Sequence, residues 1–122
     1  MTFTVSLTFP VTDQLCADIL CAALEGGIGY WAFAEKIDRA ESGDQDYLSA
    51  TLSDAENEDA FPEFVCNYDT IRLGITRALA KPTWVVYRNL VQAISLDDAS
   101  ALDAADADVI VQLGAFDELV FG

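Results

Sequence analysis

The chain has 122 residues, with 21 acidic side chains, six basic ones and no histidine, for a formal charge of −15. A field this negative repels nucleic acid and anionic membrane and attracts basic surfaces. The missing histidine excludes a serine or cysteine nucleophile worked by a histidine base. Hydrophobic residues make up 52% of the chain and aromatic residues 11%, a composition that excludes an acidic disordered tail and predicts one folded domain over 1–122.

Residues 2–9 alternate strictly. Phe3, Val5, Leu7 and Phe9 fall on one side and Thr2, Thr4, Ser6 and Thr8 on the other, which predicts a half-buried first strand ended by Pro10. Thr12 is placed to cap a helix and Asp13 to favour its positive end. That helix runs to about Glu25, with Cys16, Ile19, Leu20, Ala23 and Leu24 on one apolar stripe. Gly26 and Gly27 stop it, glycine being at ease in the left-handed conformation. The β-α opening predicts that this helix packs across the first strand.

Segments 29–37, 47–53 and 60–68 read as three more strands joined by polar, acidic connections, an antiparallel meander. Tyr30 and Trp31 head the first of them, one ring in the core and the other at its edge. Pro62 is tolerated near the start of the last. Asp69 or Thr70 caps a second helix with Ile71, Ile75, Ala78 and Leu79 inward, broken by Lys81-Pro82. Residues 84–94 read as a third helix, although Trp84-Val85-Val86-Tyr87 has strong strand propensity and leaves a strand open as the alternative. A short turn at 97–102 precedes a last helix from about Ala104, with Val109, Ile110, Leu113 and Phe116 inward. The expected fold class is therefore α+β: an N-terminal β-α unit, an antiparallel sheet of about four strands, and C-terminal helices on one face.

Little in the chain carries catalytic chemistry. Cys16, Cys21 and Cys66 lack zinc-ligand spacing and sit among apolar neighbours, which makes them inert thiols of a reducing compartment. The run Gly26-Gly27-Ile28-Gly29 ends a helix and has no Lys-Ser/Thr after it, so it is not a phosphate loop. Asp103, Asp106 and Asp108 lack the glycine and closing glutamate of a calcium loop, and the first two favour a helix start. No catalytic residue, metal or cofactor is assigned, and the expected protein is not an enzyme. No run of eighteen apolar residues is present, and the first residues do not read as a signal peptide, so the expected location is the cytoplasm.

The acids cluster. Glu35, Asp38, Glu41, Asp44 and Asp46 form one group, and Asp54, Glu56, Glu58, Asp59 and Glu63 a second. Both fall on the connections and strand ends of the meander, and they are expected to converge on neighbouring edges of one sheet. Carboxylates two apart on a strand lie roughly 7 Å apart, and those four apart on a helix about 5–6 Å. DNA phosphates rise about 3.4 Å each along one strand. A scaffold with carboxylates at such separations stands in for phosphates before a partner's Lys and Arg.

The stretch Ala22-Ala23-Leu24-Glu25-Gly26-Gly27-Ile28-Gly29-Tyr30-Trp31 resembles a set of small phage and prophage proteins of unassigned function. So do Ala107-Asp108-Val109-Ile110-Val111-Gln112 and the closing Phe116-Asp117-Glu118-Leu119-Val120-Phe121-Gly122. The resemblance implies a mobile-element origin and transfers no catalytic residue. By class it is similar to acidic anti-CRISPR and anti-restriction inhibitors that imitate DNA. The implied function is occlusion of a basic nucleic-acid-binding surface on a host defence complex, a Cas effector or restriction enzyme, in the host cytoplasm. Direct binding to nucleic acid or membrane is not expected. The ten acids of the two groups are the implied contact residues. Other readings stay open: an acidic structural or interaction protein of a phage or halophile, an immunity or antitoxin protein that plugs a basic toxin, and, last of these, a small enzyme working through two carboxylates.

Overall fold

The computed structural model describes residues 2–41, 46–56 and 59–122. Its elements are α1 (Asp13–Ala22), β1 (Ala32–Arg39), β2 (Tyr47–Asp54), β3 (Phe64–Asn67), α2 (Tyr68–Leu79), α3 (Val85–Leu96) and α4 (Ala104–Phe116). The strands form one antiparallel sheet in the order β1-β2-β3. This is an α+β fold with the expected meander, built of three strands where about four were expected.

The missing strand is the N-terminal one. Residues 2–9 form no strand and join no sheet, and Phe3 and Val5 are each 80% exposed. Alternation specifies two unlike faces of an extended segment; it does not specify a partner. Helix α1 packs directly on β2, so the expected stacking of α1 on a first strand does not occur.

Helix α1 starts as its sequence directs. The Thr12 hydroxyl accepts from Leu15 N, and Asp13 stands in the first turn. Cys16, Ile19, Leu20 and Ala23 are buried as the stripe requires, with Leu15 and Ala17 beside them. The end differs from expectation. The helix widens into a π turn over Ala23–Gly27, and neither glycine is left-handed. Gly27 is needed because a Cβ there would stand 2.6 Å from the Ala104 carbonyl oxygen.

β2 falls where the sequence reading put it, whereas β1 is shifted and β3 is shorter. Tyr30 and Trp31 lie in the turn before β1, and β3 spans four residues, two beyond Pro62. Directly opposed residues share a face. Ala34, Leu52 and Phe64 are opposed, as are Ala50 and Cys66, and this face looks into the core. The other face carries the rows Phe33–Ser53, Glu35–Thr51–Val65 and Asp38–Ser49–Asn67. A bulge with Lys36 at φ 50° separates Glu35 from Asp38.

Helix α2 is capped by Asn67, not by Asp69 or Thr70. Asn67 Oδ1 accepts from Thr70 N, and the Thr70 hydroxyl accepts from Asn67 N, a reciprocal box. Asp103 and Asp106 make the same box at the start of α4. Asp106 Oδ2 also accepts from Asn89 Nδ2 of α3 at 2.9 Å. At the far end of α4, Arg77 Nη1 donates to the Leu113 carbonyl at 2.6 Å and Arg77 Nε pairs with Asp117, answering orphan carbonyls of the last turn. Helices α2 and α4 cross in close backbone contact at Gly74 and Gly114. No helix among the described residues is long and apolar enough to cross a membrane.

Candidate functional site

The meander decides where the acids go. Successive antiparallel hairpins turn at opposite ends of a sheet, so the β1–β2 and β2–β3 connections are separated by the length of β2. Eight residues at about 3.4 Å each place them roughly 24 Å apart. Glu41 and Asp46 stand at one end, and Asp54, Glu56, Asp59 and Glu63 at the other. The two groups therefore do not meet at neighbouring edges. Glu35 and Asp38 lie between them on the outer face. Asp44 and Glu58 fall outside the described residues.

The outer face mixes acid and apolar side chains: Phe33 stands near the β2–β3 end, Val65 and Glu35 share the middle row, and Asp38 follows toward the other end. Phe33 is 58% exposed and Val65 54%, while Glu35 stands in the row with Thr51 and Val65. At the β2–β3 end, Asp54, Asp59 and Glu63 line a shallow groove with Ser53, Phe61 and Pro62. Asp54 braces this connection by accepting from Glu56 N at 3.0 Å and Ala60 N at 2.9 Å. At the other end Arg39 lies over the Tyr47 ring at 4.4 Å and donates to its hydroxyl, which donates to Glu25. The two salt bridges among the described residues use Asp13 with Arg72 and Asp117 with Arg77. Neither takes an acid from the two groups.

A second cluster was not foreseen. Asp108 is 8% exposed and its carboxylate takes three side-chain donors. Trp31 Nε1 donates to Oδ1 at 2.8 Å, Gln112 Nε2 to Oδ1 at 2.9 Å, and the Tyr30 hydroxyl to Oδ2 at 2.6 Å. Gln112 then reaches the closing segment: its Oε1 accepts from Val120 N and Phe121 N, and its Nε2 donates to the Phe121 carbonyl. Phe121 in turn stacks on Trp31 with ring centres 4.9 Å apart. The turn before β1, helix α4 and the closing segment thus meet in one buried network. The helical spacing of Asp108 and Gln112, four apart on one face, was the available signal; nothing in one sequence ties that face to Tyr30-Trp31.

Tyr30 is half exposed, yet its hydroxyl turns inward. Burial there, together with the hydrogen bond to Asp108, pushes its pKa up to about 12. Burial also raises the Cys16 and Cys21 thiols and pushes Cys66 up to about 12. These thiols stay protonated and unreactive at neutral pH. Among the described residues no group of three or more His, Cys, Asp or Glu side chains is placed to hold a metal ion.

Cys66 and Tyr30 make stability fall at alkaline pH. Both hold a proton more tightly folded than unfolded, so their contribution is complete below about pH 9–10 and is lost as pH rises toward 12. For Cys66 the slope is about 1.4 kcal/mol per pH unit in that window. Urea titrations from pH 8 to 11 should show it, and Cys66→Ala should flatten the decline. An unchanged decline in that variant would show that another group causes it.

No protein-family model, curated protein or solved structure matches this chain.

Proposed function

We propose that the outer face of the sheet docks on a basic protein surface, and that the protein is a phage-type anti-defence inhibitor. In this reading it occludes the nucleic-acid-binding surface of a host defence complex without catalysis. The observation that supports it is the bipartite face itself. Carboxylates stand at both ends of the sheet, Glu41 and Asp46 at one and Glu56, Asp59 and Glu63 at the other, and Glu35 and Asp38 share its outer face with the exposed Phe33 and Val65. A separation of about 24 Å matches roughly seven phosphate steps along one DNA strand. The carboxylates then meet the partner's Lys and Arg, and Phe33 and Val65 supply the dry contact that most specific interfaces contain.

The test is capture of partners from host lysate at low and high salt, followed by assay of the partner's DNA binding with and without this protein. The quadruple variant Glu35→Lys, Asp38→Lys, Glu56→Lys, Glu63→Lys should lose at least about 100-fold in affinity, since attraction becomes repulsion at both ends. Binding that ignores salt and survives this reversal would overturn the reading. An acidic structural or interaction protein is the second reading, favoured by the uncharged, exposed residues 2–9.

A further inference from the structure

Charge is distributed unevenly along this chain. Residues 1–12 carry no charged side chain, and residues 70–96 carry Arg72, Arg77, Lys81 and Arg88 but no acid. All 21 acids lie elsewhere. The acid-free parts adjoin in space: an apolar groove of about 360 Å³ is lined by Leu7, Phe9 and Val11 together with Leu79, Val91 and Ile94 of α2 and α3. Leu79, Val91 and the neighbouring Leu96 are exposed along this side. The segment touches the groove through Leu7 and Phe9, while Phe3 and Val5 stand free in solvent at 80% exposure.

We infer that residues 2–9 pair antiparallel with the same residues of a second copy, and that the resulting two-stranded ribbon covers the α2–α3 grooves of both molecules. Three features select a second copy as the occupant. First, the segment is self-complementary. Its alternation puts Phe3, Val5, Leu7 and Phe9 toward the helices and leaves Thr2, Thr4 and Ser6 for solvent, with Thr8 also lining the groove, the two-faced pattern of a half-buried ribbon.

Second, like charge opposes contact between copies of a −15 chain almost everywhere, and the groove and arm form a surface where it does not. Third, the area suffices. The four apolar side chains of the arm expose roughly 500 Å² per copy, and the groove residues bring this near the roughly 800 Å² per partner of a standard interface. A two-stranded ribbon alone is marginal in water, but one packed on helices is not. The symmetry is two-fold and closed, so a dimer forms without further growth.

The inference does not depend on the function proposed above, and its test has a separate readout. Sedimentation velocity at high micromolar concentration should show a dimer. The double variant Phe3→Asp, Val5→Asp changes two exposed residues, so the monomer should keep its circular dichroism spectrum while self-association weakens at least about 100-fold. A photo-crosslinking residue at position 3, in a mixture of isotopically light and heavy protein, should join the arm of one copy to residues 2–9 or 79–94 of the other. A wild-type monomer, a dimer untouched by the aspartates, or crosslinks confined to single copies would overturn the inference.

Discussion

Replacing Gly74 or Gly114 by alanine should destabilise the protein by about 2–4 kcal/mol each, although alanine is the better helix former by about 1 kcal/mol. The reason is the crossing of α2 and α4. A Cβ on Gly74 would lie 2.0 Å from the Ile110 carbonyl oxygen, and one on Gly114 2.1 Å from the Thr70 carbonyl oxygen. Real Cβ atoms do not approach backbone so closely, and backbone inside a helix cannot step aside as a side chain can. The helices must separate, and separation strips packing from Ile71, Ile75, Ile110 and Leu113, which are all but fully buried.

The two contacts are reciprocal. Thr70 and Gly74 are one turn apart on α2, as are Ile110 and Gly114 on α4, and the pairing runs antiparallel. Once one alanine has moved the helices apart, the second meets less resistance. The double variant should therefore cost clearly less than the sum of the singles, a coupling that urea unfolding of all three variants measures. Gly29→Ala is the control, since an added methyl there meets nothing within 4 Å; it should stay within about 0.5 kcal/mol of wild type. Additive losses at 74 and 114 would mean that the clashes are absorbed locally and that the helices do not part.

How far this architecture could be read in the sequence depended on whether its cause was local. Thr12 capping α1, Lys81-Pro82 ending α2 and the final helix from Ala104 each rest on residues within one turn of the feature. All three are observed. The meander was legible for the same reason, because its strands are short alternating runs joined by turn residues. Asn67 was passed over as a cap because its partner at the third helical position is Thr70 and not the usual Glu or Gln.

Features that depend on distant chain were not legible. The alternation of residues 2–9 is sound as a pattern, but whether a strand finds a partner is a matter of the whole fold. Gly27 read as a helix stop, and Gly74 and Gly114 drew no reading; the cause of all three is backbone 36 to 77 positions away in sequence. Of the acid groups, Glu41, Asp46, Glu56, Asp59 and Glu63 lie on connections, while Glu35 and Asp38 lie within β1 and Asp54 ends β2. Their expected convergence failed on topology, since consecutive hairpins of one meander turn at opposite ends. Asp108 read as one more surface acid among 21, and only the fold shows that it is inside.

Asp108→Ala should cost about 3–5 kcal/mol, a large share of the 5–15 kcal/mol that holds a domain of this size. The carboxylate is the common acceptor for Trp31 Nε1, the Tyr30 hydroxyl and Gln112 Nε2. Removing it leaves donors without partners in a site where water is scarce, at about 1–3 kcal/mol for each group left unsatisfied. Trp31 bears the most, being 2% exposed and fixed by contacts with Phe61, Phe116 and Phe121. Tyr30 can turn toward solvent and loses less. Asp108→Asn keeps the shape and one acceptor oxygen, so it should cost about 1–2 kcal/mol. Gln112→Ala separates anchoring of the closing segment from the Trp31 bond. It removes the acceptor for Val120 N and Phe121 N while leaving Asp108 bonded to Trp31. Amide exchange should then quicken at residues 120–121 without a matching loss across β2. Protection spread evenly over the chain in that variant, or an Asp108→Ala midpoint within 1 kcal/mol of wild type, would show that the network fills space and does not lock the tail.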